Sequence, residues 1–408
     1  MSAIFYPDII RILKNYEQKG SKYGLERTKA LLHLFADPDK KLKTVHIAGS
    51  NGKGSIAAYI TNILIAAGKK VGTFTSPEVY SYAEKFLFNG KEEEGFIKYY
   101  LSEVYSASQE MEDKPTAFEI ETVAALSAFA AAGCEYAVVE CGLGGRDDAT
   151  NAISQKALAV LSSVSLEHTA ILGNTIEQIC ENKAGIIKDC PVVVSALQSG
   201  EGREFLKKYA REFSGEGLKI TSRSLEGQSF EYNGAKYFIR MLGDAQCYNA
   251  AVAIDAAKLL GIGGCQISAG LVLTRLKGRC EVIAKGGATY VLDGAHNPAA
   301  FAPVIEVLKG VSGKKTLIFC CLSDKDALKA ALLLTPVFDE IIVFPSESYR
   351  AMNLKDMLSA FERAGAKDKL KQAESAERAL ELAQGDTVAV CGSFTALKEA
   401  KQWIEKGQ

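Results

Sequence analysis

The sequence lacks an apolar run long enough to cross a bilayer, and its formal net charge is only −1. The first absence argues against a membrane-spanning protein. The second leaves no overall field that would attract nucleic acid or an acidic membrane surface. The N-terminal stretch "MSAIFYPDIIRILKNYEQKG" also lacks the apolar core of a signal peptide. We therefore expect a cytoplasmic protein without nucleic-acid or membrane partners.

The chain also lacks any CxxC pair, although ten cysteines are spread along its 408 residues. This argues against a zinc ribbon or a secreted disulfide framework and favours reduced thiols. The sequence contains no internal repeat and no low-complexity segment. Its 48% of hydrophobic and 24% of charged residues are typical of a soluble globular protein.

Short apolar runs alternate with helical patterns along most of the chain, which predicts an α/β fold. In the first part, four runs are predicted to be buried strands: "KTVHIA", "EYAVVEC", "ALAVLSSVS" and "CPVVVSA". Because helical segments separate them, their sheet should be mostly parallel. After a break near "RLKGRCEVIAKGGAT", four more strands are predicted: "YVLDGAHN", "KTLIFCCLS", "DEIIVFPS" and "DTVAVCGS".

The length predicts two or three domains, and this break places a boundary near residue 279. We assign residues 1–278 to a P-loop-containing domain with a mostly parallel sheet, and residues 279–408 to a smaller Rossmann-like α/β domain. Ligands in such folds bind beyond the carboxyl ends of the strands. The residues that follow each predicted strand are therefore the candidates for a functional site.

The stretch "HIAGSNGKGS" follows the first predicted strand and precedes a predicted helix, "SIAAYITNILIAAG". That helix has one apolar stripe, formed by Ile56, Ile60, Ile63, Leu64 and Ala67. A glycine-rich turn at a helix N-terminus offers free N–H groups to a phosphate. Gly54 separates Lys53 from Ser55, unlike in the common P-loop formula, and a plain turn is the alternative. We expect Lys53 to contact the outer phosphates and Ser55 to hold Mg²⁺.

Acidic residues follow two other predicted strands. Glu140 comes after an apolar run, and a carboxylate on a strand beside a P-loop commonly holds Mg²⁺. The alternative is an ordinary surface carboxylate. Glu167 and His168 follow a further strand, and His168 is either a structural histidine or a ligand.

Lys183 lies in the predicted helix "TIEQICENKAGIIK", on the same face as the apolar Ile176, Ile179, Cys180 and Ile187. Lysine is rarely buried without a partner, because its charge is costly to desolvate. Either its stem covers apolar surface while the amine reaches water, or it is a functional lysine with a lowered pKa.

In the second part, "YVLDGAHNPAAF" runs from a strand through a turn into a helix. Asn297 suits the N-cap and Pro298 the first helical position. Capping does not explain Asp293 or His296. Ser393 lies at a similar turn in "CGSFTALKEA".

Together these segments resemble the folylpolyglutamate synthase/dihydrofolate synthase family of the Mur ligase superfamily. The matching motifs keep one order along most of the chain: "AGSNGKGS", "TSPEVYSYAEKFLFNG", "TAFEIETVAAL", "VECGLGGRDDATN", "SLEHTAILGNTIEQICENKAGIIK", "QCYNAAVA", "GRCEVI", "VLDGAHNPAA" and "DKDA". The resemblance implies a monomeric, ADP-forming ligase. ATP would phosphorylate an acceptor carboxylate, and the amine of glutamate would displace the phosphate.

The resemblance also implies roles for individual residues. The catalytic residues would be Lys53, His168, Lys183 and His296. The nucleotide would contact Gly49, Ser50, Asn51, Gly52, Lys53, Gly54, Ser55, Asn249, Arg279 and Asp293. Two Mg²⁺ sites would use Ser55 with Glu140, and Glu140 with His168, supported by a carbamylated Lys183. Glutamate and the pterin-bearing acceptor, dihydropteroate or folate, would contact Ser76, Lys85, Asp148 and Ser393.

Many positions that depart from the family motifs correspond to places near the acceptor or near the base of the nucleotide. The departures are Ser50, Glu78, Lys85, Asp147, Glu167, Asn182 and Ala245. Ligase chemistry is therefore better supported than the folate acceptor. A related ligase that joins an amino acid to another carboxylate is a second hypothesis. A nucleotide-binding regulator without turnover is a third.

Overall fold

A computed structural model describes residues 8–17, 24–346 and 350–406. The chain divides into two compact units, and it passes from the first to the second between Thr274 and Arg275. The second unit also includes two earlier segments, 220–229 and 239–244. The assignment of residues 1–278 and 279–408 to separate functional domains stays a prediction. Residues 1–7 and 18–20 of the N-terminal stretch, in which the sequence shows no signal-peptide core, lie outside the described residues.

A seven-stranded sheet forms the centre of the first unit. Its strands are β1 (Lys43–Ala48), β2 (Val71–Phe74), β3 (Phe86–Phe88), β4 (Lys91–Glu92), β5 (Tyr136–Glu140), β6 (Leu158–Leu161) and β7 (Val192–Val194). Their order in the sheet is β4-β3-β2-β5-β1-β6-β7. The five adjacent strands β2, β5, β1, β6 and β7 are parallel to one another. Strands β3 and β4 add an antiparallel edge next to β2. This confirms the predicted mostly parallel sheet, although the sequence interpretation missed β2, β3 and β4.

Helices cover both faces of this sheet. They are α1 (Ile9–Glu17), α2 (Glu26–Leu34), α3 (Lys53–Ala66), α4 (Glu94–Ser108), α5 (Ala117–Ala131), α6 (Thr169–Leu172), α7 (Ile176–Ala184), α8 (Gly200–Leu206), α9 (Asp244–Leu259) and α10 (Gly264–Leu273). One core cluster joins helices α1, α2, α4 and α5 to the sheet, and another joins α7 and α8 to it. Reciprocal side-chain bonds at Thr116–Glu119 and Thr175–Gln178 begin α5 and α7.

Two helix predictions need correction. Helix α3 runs from Lys53 to Ala66 and is buried around most of its surface, not along one stripe. The reason is that α10 covers it as well, with Gly270 so close that a Cβ would lie 2.4 Å from the Ile63 Cα. Helix α7 ends at Ala184, so Ile187 lies beyond it and does not extend the Lys183 face.

The second unit is built on a six-stranded sheet. Its strands are β11 (Glu281–Lys285), β12 (Ala288–Leu292), β13 (Lys315–Phe319), β14 (Glu340–Val343), β15 (Leu370–Gln372) and β16 (Thr387–Cys391). Their order in the sheet is β11-β12-β16-β13-β14-β15. Strand β11 pairs antiparallel with β12, and the other neighbouring strands pair parallel. The helices are α11 (Pro298–Lys309), α12 (Ala327–Leu334), α13 (Leu354–Arg363), α14 (Ala376–Leu382) and α15 (Phe394–Lys406). All four predicted strands are present, which confirms a smaller α/β unit.

A further sheet contains β8 (Lys219–Ser224), β9 (Gly227–Tyr232) and β10 (Ala235–Ile239) in the order β10-β9-β8. Short 3₁₀ helices occupy Pro38–Lys41, Tyr82–Lys85, Ala149–Ala152, Thr335–Val337 and Lys367–Lys369. No helix in the described part of the chain has both the length and the hydropathy needed to cross a membrane.

Candidate active site

The glycine-rich loop connects β1 to α3, as predicted. Gly49 has φ +149° and Gly52 has φ +89°, which favour glycine. A Cβ at Gly49 would lie 1.8 Å from Ser162 Oγ, and one at Gly52 would lie 2.5 Å from Asn249 Oδ1. The loop therefore requires glycine at both positions. The second contact also brings Asn249, a predicted nucleotide residue, against the loop.

The polar groups of the loop form a small network. Lys53 Nζ donates to the carbonyl oxygens of Gly49 at 3.1 Å and Ser50 at 3.3 Å, and it lies 3.9 Å from Glu140 Oε1. The Ser50 hydroxyl accepts from the backbone N–H of Ser165 at 3.0 Å, while Asn51 is exposed. The loop therefore joins the ends of β1, β5 and β6 at one edge of the sheet.

Glu140 and Ser55 fit a magnesium site. Glu140 ends β5 and is 5% exposed, and Ser55 lies in the first turn of α3 with the same exposure. A Cβ at Gly54 would lie 3.4 Å from Glu140 Oε2, so this carboxylate lies against the start of α3. Carboxylate and hydroxyl oxygens are hard donors, and Mg²⁺ commonly takes only one or two carboxylates together with phosphate oxygens.

The second predicted metal pair is not assembled in the same way. His168 is exposed, adopts φ 45° and precedes α6, with no hydrogen bond or ion pair to Glu140 among the described residues. Within residues 8–17, 24–346 and 350–406, no three His, Cys, Asp or Glu side chains form a group able to hold a metal. Of the predicted donors, Glu140 lies against the start of α3, the helix whose first turn contains Ser55.

Lys183 is buried at 1% exposure beside the glycine-rich loop. Its Nζ donates to Gly49 O at 2.9 Å and to Glu167 Oε1 at 2.7 Å. Burial lowers the pKa of Lys183, although the negative charge of Glu167 acts in the opposite direction. The pKa of Glu167 is lowered in turn, because the charge of Lys183 and their hydrogen bond outweigh the effect of burial. Lys183 is therefore a buried amine with one carboxylate partner, and its nitrogen does not reach water as the snorkelling alternative required.

Lys85, a predicted glutamate contact, is also buried. Its Nζ lies 2.9 Å from Glu121 Oε1 and 3.4 Å from Glu78 Oε2, and 4.6 Å from the centre of the Tyr82 ring. The Tyr82 hydroxyl donates to the same Glu121 oxygen. Two carboxylates thus surround this ammonium group. The sequence interpretation missed Glu121, although a carboxylate inside the apolar helix α5 could have indicated a buried ion pair.

A cavity of about 440 Å³ opens in the first unit beside this edge of the sheet. The apolar part of its lining is formed by Phe118, Leu143, Ala149, Ile171 and Leu172, and the polar part includes Ser76, Asp147, Asp148 and Asn182. The Ser76 backbone N–H donates to Glu140 Oε2 at 3.4 Å. Ser76 therefore touches both the cavity and the candidate metal carboxylate. Asp147 and Asn182, two departures from the family motifs, line the same cavity.

The second unit gathers its predicted site residues at the carboxyl ends of β12 and β16. Asp293 accepts bonds from the backbone N–H groups of Cys280 at 2.7 Å and Ala295 at 2.8 Å, and burial raises its pKa although Arg279 acts in the opposite direction. His296 Nδ1 lies 2.8 Å from the carbonyl oxygen of Gly294.

Phe394 lies at the centre of this group. Its ring centre is 6.1 Å from that of His296 and 5.7 Å from the guanidinium of Arg279. The preceding Ser393 is 6% exposed and accepts a bond from the backbone N–H of Thr395 at 3.2 Å. Asn297 caps α11 through the N–H of Ala300 at 2.9 Å, with Pro298 first in the helix, which confirms the predicted capping.

Known proteins share both the domain composition and the fold. Residues 47–257 match the Mur ligase middle domain, and residues 278–394 match the Mur ligase glutamate ligase domain. These matches define the chain as a Mur ligase. It is 31% identical over 370 residues to the dihydrofolate synthase/folylpolyglutamate synthase of Bacillus subtilis, covering 84% of this chain and 86% of that protein. The chain therefore belongs to the folylpolyglutamate synthase/dihydrofolate synthase family, which confirms the resemblance.

Solved structures of this family are similar along almost the whole chain. The E. coli FolC structure in complex with DHPP and ADP has 27% identity and a TM-score of 0.80, covering 98% of both chains. The Yersinia pestis bifunctional folylpolyglutamate synthase/dihydrofolate synthase, complexed with AMPPNP and Mn ion, has 26% identity and a TM-score of 0.81, covering 97% of this chain and 98% of that chain.

Proposed function

We propose that this protein is an ATP-dependent ligase that joins the amine of L-glutamate to a carboxylate of dihydropteroate or a folate. The observation that carries the proposal is the position of Ser76, which lines the acceptor-sized cavity and contacts Glu140 beside the phosphate loop. Phosphoryl transfer needs donor and acceptor close together, and the membership of the family supplies the reaction type.

The reaction proceeds in two steps. The acceptor carboxylate oxygen takes the terminal phosphoryl group of ATP, which releases ADP and gives an acyl phosphate. The neutral amine nitrogen of glutamate then attacks the acyl carbon and loses a proton to solvent, the bond to the phosphate oxygen breaks, and an amide and inorganic phosphate result. This route is favourable because phosphate is a much better leaving group than the oxygen of a free carboxylate.

The first unit supplies the phosphate-binding part of the mechanism. The loop from Gly49 to Ser55 offers backbone N–H groups at the start of α3, and Lys53 adds a positive charge. Ser55 and Glu140 would hold Mg²⁺, which offsets the charge on the transferring phosphoryl group. His168 stays a predicted ligand of a second ion. We further propose that three residues of the second unit contact the nucleotide and the incoming amine: Arg279, Asp293 and His296. Ser393 is proposed to contact glutamate.

Carbamylation of Lys183 remains a proposal. Burial favours the neutral amine that reacts with CO₂, and this supports it. The carboxylate of Glu167 at 2.7 Å favours the ammonium form and would repel a carbamate anion. Incubation with ¹³C-bicarbonate tests the modification: a carbamate carbon signal that is absent from Lys183→Ala supports it, and no difference between the proteins contradicts it.

The substrate role of Asp148 is supported by its place in the cavity, and that of Ser76 by its two contacts. The role of Lys85 has less support, because Glu121 and Glu78 already surround its ammonium group. A cytoplasmic location and a monomeric state stay predictions from the sequence.

The decisive experiment measures ADP release with dihydropteroate or tetrahydrofolate, each with and without glutamate, and determines the product mass. We expect continued, multiple-turnover release only with both substrates, and a product carrying one added glutamate. Lys53→Ala should abolish this release, whereas Lys98→Ala, which removes a lysine that pairs with Glu94 on α4, should not. No turnover with any pterin acceptor would refute the folate assignment.

The alternative is a ligase for a non-pterin carboxylate. It is favoured by Asp147 and Asn182, which change the polarity of the cavity relative to the family motifs. A panel of acceptors and amino acids separates the two functions, since a strong preference for a non-pterin acid would establish the alternative. Acceptor-dependent ATP hydrolysis of either kind would exclude a regulator without turnover.

A further inference from the structure

Lys183 lies in the last turn of α7, where backbone carbonyl oxygens lack partners inside the helix. The oxygens of Asn182, Lys183 and Ala184 accept bonds from N–H groups of the turn that follows. The oxygens of the next two residues, Gly185 and Ile186, accept instead from side chains that lie 34 and 30 positions earlier in the chain. The end of α7 is therefore capped from a distant segment.

The two donors are Asn151 and Lys156. Asn151 Nδ2 donates to Gly185 O at 3.1 Å, and Lys156 Nζ donates to Ile186 O at 2.8 Å. The two side chains also bind each other, since Lys156 Nζ donates to Asn151 Oδ1 at 2.6 Å. Basic side chains near a helix C-terminus stabilise the last carbonyl oxygens in this way. We call Asn151 and Lys156 together the α7 clamp.

The glycine-rich loop after β5 contacts the same turn of α7. Asn151 Nδ2 donates to Arg146 O at 2.9 Å, and the Arg146 N–H donates to Asn182 O at 2.9 Å. A Cβ at Gly145 would lie 2.9 Å from the Lys183 Cα, so the loop packs directly against the backbone of Lys183. The clamp thus fixes both the end of α7 and the loop that covers it.

Lys156 holds its place at a cost in hydration. Both of its acceptors are uncharged carbonyl oxygens, and it forms no ion pair with another described residue. Burial, together with the positive charge of Lys188, lowers its pKa to about 7. A neutral amine still has two N–H groups, which are enough for the two acceptors. An amine buried in this way serves the end of α7 in either protonation state.

We infer that Asn151 and Lys156 are positioning residues for Lys183. They hold the last turn of α7 so that Lys183 Nζ stays 2.9 Å from Gly49 O, at the start of the phosphate loop. The inference rests on the proposed function, in which Lys183 acts beside the transferring phosphoryl group. A displacement of about 1 Å at such a group can lower the rate about 10²-fold.

The experiment compares Lys156→Met with Lys369→Met. Lys369 lies in the second unit, and its Nζ also donates to two backbone carbonyl oxygens, those of Thr335 and Phe338, each at 2.7 Å. Both variants therefore lose two bonds of the same kind, but only one loses them at the end of α7. We measure kcat and each KM, the Tm, and amide hydrogen exchange in peptides that cover residues 182–188.

For Lys156→Met we expect kcat to fall about 10- to 100-fold, because Lys183 is no longer held against the loop. The KM values should stay within about threefold of wild type. Exchange in residues 182–188 should become about tenfold faster, as local opening becomes easier without the two bonds. Lys369→Met should lower the Tm by a similar amount but keep kcat within about twofold and leave this exchange unchanged.

A double-mutant cycle tests whether the clamp acts through Lys183. In a Lys183→Ala background, Lys156→Met should lower kcat by less than about twofold, because the group that it positions is already absent. The same fold loss in both backgrounds would overturn the inference.

Asn151→Asp tests the other half of the clamp. It keeps an acceptor for Lys156 but places an oxygen opposite Gly185 O and Arg146 O, so kcat and exchange should change in the same directions as in Lys156→Met. Wild-type kcat in both variants, measured well below their Tm, would contradict the positioning role.

The exchange measurement separates this inference from the proposed function. If wild type turns over no pterin acceptor, the proposed function fails, and exchange still decides the inference because it needs no turnover. Faster exchange of residues 182–188 in Lys156→Met but not in Lys369→Met would then support the clamp. Equal exchange in the two variants would refute it.

Discussion

Two lysines in the first unit are almost equally buried, yet their surroundings differ. Lys85 is 4% exposed and lies between two carboxylates, Glu121 and Glu78. Lys183 is 1% exposed and has one carboxylate, Glu167, with the carbonyl oxygen of Gly49 as its other acceptor. Burial alone therefore does not mark a functional lysine.

The charge around each lysine explains the difference. The two carboxylates near Lys85 can balance its charge, as expected of a structural ion pair. Lys183 lies beside the phosphate loop, where burial lowers its pKa and Lys53 adds a second positive charge. Such a group can respond to a bound anion or to CO₂, and we therefore expect its removal to affect chemistry more than folding.

The largest effect should follow from Lys183→Ala. We expect kcat to fall by about 10²- to 10³-fold, the range seen when one group that stabilises transition-state charge is removed. Nucleotide affinity, measured by calorimetry, should change much less, because the loop N–H groups and Lys53 remain. Wild-type turnover in this variant would contradict any role of Lys183 in the reaction.

Lys85→Met should act on stability. It leaves Glu121 and Glu78 near each other without the ammonium, and breaking a buried pair in this way costs about 3 kcal/mol in the free energy of unfolding. Denaturant titration measures the loss. The double variant Lys85→Met/Glu121→Leu is the matched control and should recover part of it. A rise in the KM for glutamate without loss of stability would instead assign Lys85 to the substrate.

Replacing the carboxylate partners of the two lysines should also affect stability unequally, with smaller losses than replacing the lysines themselves. Glu167→Gln is expected to lower the free energy of unfolding by about 1 kcal/mol, since Lys183 keeps Gly49 O and can lose its proton. Glu121→Gln should cost more, because Glu121 is 1% exposed and bonds to both Lys85 and Tyr82. If Glu167→Gln and Glu121→Gln lost the same free energy of unfolding, in both thermal and denaturant titrations, the two sites would not differ.

The smallest effect concerns pH. Although burial acts in the opposite direction, the charge of Lys85 lowers the pKa of Glu78 below its ordinary 4.5. A lowered carboxyl pKa contributes stability that is fully present above the unfolded value and is lost as the pH falls through the folded value. Wild type should therefore lose more Tm than Glu78→Gln between about pH 5 and about pH 3. Parallel curves for the two proteins would show that the pair contributes nothing.

The local features of the site could be predicted from the sequence, because they depend on neighbouring residues. The apolar run "KTVHIA" and the glycines after it are sufficient to predict a strand, a turn and a helix start, and the structure has β1, the loop and α3 there. Glu140 directly follows an apolar run and accordingly ends a buried strand. The family motifs added the reaction type, which no local pattern supplies.

Only the tertiary structure decided which groups are free to act. Glu121 meets Lys85 across 36 positions of sequence, and Gly49 meets Lys183 across 134. Asp147 and Asp148 look alike in the sequence and both line the cavity, yet the backbone N–H groups of Leu143 and Thr150 bind the carboxylate of Asp148. Local sequence sets backbone geometry, whereas the charge balance of a buried group depends on contacts that exist only after distant segments have packed together.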